Sequence, residues 1–177
     1  EQLHKDAMQA AHARSPVCLY DMEEVMAESI FSVKPENLFN REEPLDIGFV
    51  PIYILTNQDK LNGASVSAQE GVLEKVAELL GTNYYVLPSS IHELLILPDN
   101  GSMQLSELEA MVREVNATQV APEDRLSDKV QYYDRETKLL QRGQEKSVLG
   151  RLSDKKAQLQ QADHTAPKQP HRSEVSL

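Results

Sequence analysis

The sequence predicts an α+β domain, a small antiparallel or mixed sheet with helices packed on one face, followed by a disordered basic C-terminal tail. Three observations lead there. Helix-period and strand-period apolar patterns alternate irregularly through the first 141 residues, unlike the regular strand–helix order of a parallel sheet. The strongest pattern, Val72, Leu73, Val76, Ala77 and Leu80, has the spacing of one buried helix face. After Leu152 the only strongly apolar residues are Leu159, Val175 and Leu177, too few to offset the entropy of ordering that segment.

Taken in order, residues 2–13 read as a helix with Leu3, Ala7, Ala10 and Ala11 on one side, ended by Ser15-Pro16. A second helix is expected from Asp21, whose carboxylate caps the first turn while Glu24 reaches back; Val25, Met26 and Ile30 would face inward. Residues 34–44 are polar and bounded by prolines, hence a loop. Residues 49–56 carry the first strand signal, and Pro51, which lacks an amide donor, argues for an edge position or a bulge. Residues 57–63 have turn chemistry and 64–68 suggest a return strand.

Residues 69–80 form the clearest helix, with Gly81 placed for a left-handed C-cap. Residues 84–87 and 91–97 read as strands broken by Pro88-Ser89-Ser90. The wholly apolar end of the second suits a central, two-sided position. Asp99-Asn100-Gly101 is a tight turn. A helix over 105–115 should bury Leu105, Leu108, Met111, Val112 and Val115, with Asn116 as its cap. Pro122-Glu123-Asp124 starts a helical turn, and 130–133 is extended.

Length and charge bound the function. A chain of 177 residues has room for one sizeable core but not two. A single Cys excludes a disulfide framework and a Cys-rich zinc module. No apolar run nears the ~20 residues of a membrane span, and no basic-then-apolar signal opens the chain, which predicts a cytoplasmic protein without membrane contact. Residues 142–177 hold seven basic and four acidic side chains, leaving 11 and 24 for residues 1–141. The body is thus −13 and the tail +3. Such a body repels a phosphate backbone, so direct nucleic-acid binding is disfavoured. The tail reads as a solvated linker, with an incomplete helical stripe over 147–161. Arg-Leu-Ser-Asp-Lys occurs at 125–129 and again at 151–155, too short a match to be a structural repeat.

Ser89, Ser90, His92 and Glu93 form the one local cluster with catalytic residue types. On a strand Ser90 and His92 share a face with side chains roughly 7 Å apart, too far for a nucleophile–base hydrogen bond, and Glu93 points the other way. No neighbour in sequence fixes the tautomer of His92. The expectation is a strand start, not a catalytic site. No metal site emerges: His92-Glu93 lacks the second His of a zincin helix, and His4 and His12 lie roughly 12 Å apart along a helix. His164 and His171 are in the tail. Cys18 precedes a helix start but has no adjacent base, so it reads as a packed turn residue. Gly63 alone is no phosphate loop, and the pairs Tyr84-Tyr85 and Tyr132-Tyr133 divide between core and surface rather than stacking bases. No cofactor is implied.

Five strings occur together in order. They are Gly48-Phe-Val-Pro-Ile-Tyr-Ile-Leu-Thr-Asn57; Gly63-Ala64; Tyr85-Val-Leu-Pro-Ser-Ser-Ile-His-Glu-Leu-Leu-Ile-Leu-Pro98; Met111-Val-Arg-Glu-Val-Asn-Ala-Thr-Gln-Val120; and Leu126-Ser-Asp-Lys-Val130 with Tyr133. From about Leu3 to Tyr133 the chain resembles an uncharacterised bacterial family, domain-of-unknown-function family 5688. The resemblance implies a setting in gut anaerobes, often near mobile elements, and a further N-terminal portion in longer members. It transfers no activity, and no role attaches to the Pro-Ser-Ser-Ile-His-Glu string. A looser likeness in layout to another uncharacterised bacterial family concerns fold alone.

The expected function is therefore a non-enzymatic binding or accessory module that docks a basic protein partner on its acidic body. The alternatives are a hydrolase-like enzyme using Ser89, Ser90, His92 and Glu93, and an acidic nucleic-acid mimic.

Overall fold

The computed structural model describes residues 15–47 and 51–143. The helices expected over 2–13 and 147–161, and nearly all of the expected tail, lie outside the described residues. Strand β1 (Val17–Asp21) leads directly into helix α1 (Met22–Phe31), and a 3-10 turn (Leu38–Asn40) follows. Next come β2 (Tyr53–Asn57), a 3-10 segment (Gly63–Ala68), helix α2 (Val72–Leu80), β3 (Tyr84–Leu87) and β4 (Leu94–Pro98). Helix α3 (Leu105–Thr118), a 3-10 turn (Pro122–Asp124), β5 (Gln131–Asp134) and β6 (Leu139–Arg142) complete the order.

The strands form one sheet in the order β1-β2-β4-β3-β5-β6, every neighbouring pair antiparallel. The α+β class is as expected. Helices cover both faces of the sheet, whereas the sequence placed them on one. Alternate strand residues explain this: Leu19, Leu55, Val86 and Ile96 point to one face and pack with Val72, Val76 and Leu80 of α2. Their neighbours Tyr85, Leu87 and Leu97 point to the other and pack with Leu108 and Val112 of α3. β3 and β4 are thus buried on both sides, as the apolar end of β4 implied.

The two tyrosine pairs are cross-strand partners. Tyr84 lies opposite Tyr133 and Tyr85 opposite Tyr132, so one stacked pair (centroids 5.0 Å) and one tilted pair (5.1 Å) join β3 to β5 on opposite faces. Burial and its hydrogen bond to the Leu73 carbonyl (2.9 Å) are the environment of the Tyr84 hydroxyl, and burial pushes that phenol well above its ordinary range.

Several local expectations change. β1, not foreseen, holds Cys18 in mid-strand, buried rather than in a turn. Its open edge is closed by one side chain: Asn37 accepts from the Leu19 N–H (3.0 Å) and donates to the Val17 carbonyl (3.1 Å), as a neighbouring strand would. Pro51 precedes β2, which is interior, so the missing donor never meets the ladder. Residues 64–68 coil as 3-10 helix instead of returning as a strand. The Ser65 and Ser67 hydroxyls donate to carbonyls three residues back, which favours that coil.

Asp21 caps α1 by accepting from the Glu23 N–H (2.7 Å), as expected, but Glu24 accepts from the Glu36 N–H (3.1 Å) instead of reaching back. None of the residues of α1 is buried, and Met26 and Ile30 face outward. Asn116 is not the cap of α3 but a buried residue within it, donating to Asp128 (2.6 Å) and the Ser127 carbonyl (3.3 Å). β6 also escaped the sequence reading. It runs through Arg142, and the Gly143 N–H donates to the Val130 carbonyl (2.9 Å), so sheet pairing continues past residue 141.

Candidate functional site

The segment from Pro88 to Glu93 crosses from β3 to β4, and its backbone is taken up by two flanking loops. The Leu126 N–H donates to the Ser89 carbonyl (3.1 Å) and the Ser127 N–H to the Pro88 carbonyl (2.9 Å). The Ile91 N–H donates to the Asp124 carbonyl (2.8 Å), while the Ile91 carbonyl accepts from the Ala64 N–H (3.1 Å). Ser90 forms a single bridge with Arg125. The strand therefore begins at Leu94, not at Ile91, because the preceding amides already have partners outside the sheet ladder.

The serines are turned inward. Ser89 and Ser90 are 4% and 7% exposed, and the Ser90 hydroxyl accepts from the His92 N–H at 3.0 Å. This is a local turn bond, not a contact with the imidazole. The His92 carbonyl accepts from the Thr56 hydroxyl at 2.8 Å. Gly63 makes room for that bond: a Cβ there would sit 2.0 Å from Thr56 Oγ1 and 2.4 Å from the His92 carbonyl oxygen. His92 and Glu93 are both half-buried.

The imidazole has partners that the sequence did not offer. Nδ1 accepts from the Asn62 N–H at 3.1 Å, which places the proton of the neutral ring on Nε2. Nε2 lies 3.4 Å from Asp124 Oδ1. The expectation that nothing nearby fixes the tautomer of His92 is thus corrected. Asn62, Thr56 and Asp124 were missed because they lie 30, 36 and 32 residues away, and no periodicity or motif relates such positions.

The chemical meaning is specific. A general base needs one ring nitrogen with a free lone pair directed at the nucleophile. Here the lone pair on Nδ1 is directed at a backbone N–H, and Nε2–H faces a carboxylate. His92 carries the orientation of a catalytic histidine without an open acceptor. No group of three His, Cys, Asp or Glu among the described residues could hold a metal ion.

The Pro88–Glu93 segment that anchors these contacts also lies within one of the five strings that carry the resemblance. A family model described as "Family of unknown function (DUF5688)" matches residues 1–135. The chain belongs to this family. No curated protein and no solved structure matches it. Within this DUF5688 chain the matched residues take in β1 through β5, and β6 lies beyond them. None of the helices among the described residues is long and apolar enough to cross a membrane.

Elsewhere on the DUF5688 domain, one surface is conspicuous for its chemistry. Met26, Ile30 and Phe31 of α1 and Val33 just after it are 64, 73, 71 and 65% exposed. Leu61 is exposed on the neighbouring loop, which an ion pair between Lys60 and Glu28 (3.4 Å) ties to α1.

Proposed function

We propose that this DUF5688 chain is a non-enzymatic protein-binding module, an accessory component of a bacterial and cytoplasmic system, and that α1 is its contact surface. The observation that carries the reading is the outward apolar strip of Met26, Ile30, Phe31 and Val33. Large apolar side chains grouped on one exposed helix mark interaction sites more often than chance exposure. The contrast with the Pro88–Glu93 segment supports it, since there the Ser90 hydroxyl and both ring nitrogens of His92 are engaged by the local turn and the neighbouring loops.

Affinity purification of the full chain from its native cells, set against the Ile30→Glu variant, tests this. A partner captured by the parent and lost with Ile30→Glu, while Leu139→Glu on exposed β6 retains it, is the expected result. Equal capture by all three proteins refutes the reading.

One observation favours a hydrolytic alternative, the placement of Asp124 beside the His92 ring. An active-serine probe decides it. Labelling of Ser89 or Ser90 that disappears in His92→Ala, with folding unchanged, would establish the enzyme; the binding reading expects no labelling.

A further inference from the structure

Resting on the reading of α1 as a contact surface, we infer that its occupant is a short, basic, amphipathic helix of a partner protein. Shape is the first argument. Met26 and Ile30 are one turn apart, and the ten residues of α1 extend about 15 Å. Phe31 closes the helix, and Val33 follows the left-handed residue Ser32 (φ 55°). A helix laid against this strip offers apolar residues at the matching spacing of three and four.

Charge is the second argument. Residues 21–46 carry eight carboxylates (Asp21, Glu23, Glu24, Glu28, Glu36, Glu42, Glu43 and Asp46) against Lys34 and Arg41, a net of −6, of which Lys60 on the neighbouring loop offsets one through its pair with Glu28. The loop after α1 is fastened beside it. Glu24 accepts from the Glu36 N–H, and Arg41 is itself held by Glu36 in a two-point pair (2.6 and 3.0 Å). The apolar strip therefore belongs to a segment of net negative charge. A cationic partner gains from that field in both encounter rate and orientation.

The same charge separates the possible occupants. A second copy of the chain would bring an identical segment of net negative charge against the first. Residues 2–13 of this chain hold one Lys and one Asp, so they supply no compensating charge. A basic helix meets both the apolar strip and the negative charge of its segment.

The test uses a fluorescent peptide of about 14 residues with leucines along one helical face and lysines elsewhere, and a second peptide with Glu in place of Lys. Anisotropy with the full chain should show saturable binding of the Lys peptide, weakened by salt, and none of the Glu peptide. Ile30→Glu should weaken the Lys peptide about tenfold although it adds negative charge, because the apolar contact is lost. Phe31→Ser should act in the same direction, and Leu139→Glu should change nothing. These positions are exposed, so thermal melting of each variant should match the parent.

Equal binding by Ile30→Glu, or equal binding of the two peptides, overturns the inference. So does a self-associating chain that Ile30→Glu renders monomeric, which would make the occupant a second copy. A gain in affinity on Ala10→Glu would identify residues 2–13 as the occupant and overturn it as well. If the native partner is lost with Ile30→Glu yet the Lys peptide fails to bind, the contact surface stands and the basic helix falls.

Discussion

The Nδ1 atom of His92 accepts a hydrogen bond from the Asn62 N–H at 3.1 Å, joining the loop after β2 to the crossing between β3 and β4. With Asp124 on the other ring nitrogen, one side chain ties three loops that are distant in sequence. His92→Ala should cost about 0.5–1.5 kcal/mol in urea unfolding, the net worth of a hydrogen bond whose freed amide can turn to water. His92→Asn keeps an acceptor near the Nδ1 position and should recover part of that loss. A variant as stable as the parent would show that the ring does not hold the loops.

Gly63 is the tightest point of the same junction. The 2.0 Å and 2.4 Å approaches that a Cβ would make are to Thr56 and to backbone, neither of which can swing away. Gly63→Ala should destabilise by about 3 kcal/mol or more, read from the shift of the unfolding midpoint. An Ala variant that melts with the parent would mean that the loop after β2 packs less closely than described.

Val76 lies fully buried between α2 and the sheet. Val76→Asp places an unpaired carboxylate in that core and should cost on the order of 4 kcal/mol. Survival of the native melting transition would place α2 away from the sheet.

Four tyrosines, Tyr20, Tyr53, Tyr84 and Tyr133, have phenols raised above the ordinary value of 10.0, with burial the largest cause in each. The folded protein therefore holds these protons more tightly than the unfolded chain. Stability from this source is complete below pH 10 and declines as pH rises toward the folded values. Alkaline unfolding followed by circular dichroism should show a falling midpoint above about pH 10. Tyr84→Phe should flatten that fall, since Tyr84 is the most deeply buried of the four. An unchanged slope would indicate that these hydroxyls reach solvent.

Local pattern was enough wherever one element carried its own signal. α2 appears within three residues of its expected start and ends at the expected Gly81 cap, because its apolar face repeats at the helix period and Gly readily adopts a positive φ (68°). Leu108 and Val112 of α3, the strand at 84–87, the Asp99-Asn100-Gly101 turn and the Pro122–Asp124 turn were legible for similar reasons, although Met111, expected inside, is exposed. So was the family, whose model, over residues 1–135, takes in all five ordered strings.

Where the partner is remote, sequence pattern had nothing to register. β1 and β6 are strands only because β2 and β5 lie beside them, and neither segment alternates clearly enough to announce itself. Residues 64–68 and 91–92 look extended by composition, yet their amides bond to other loops and to each other, so tertiary contacts displaced the strand preference. The outward turn of Met26 and Ile30 follows the same logic. The apolar content of α1 was plain in the sequence, but its facing was set by where β1 delivers the chain, at the Met22 N–H bond to the Ile52 carbonyl (2.9 Å). Residue types and local periods determine which elements can form. Hydrogen-bond partners thirty residues away decide which of those forms survive and which groups are left to meet another molecule.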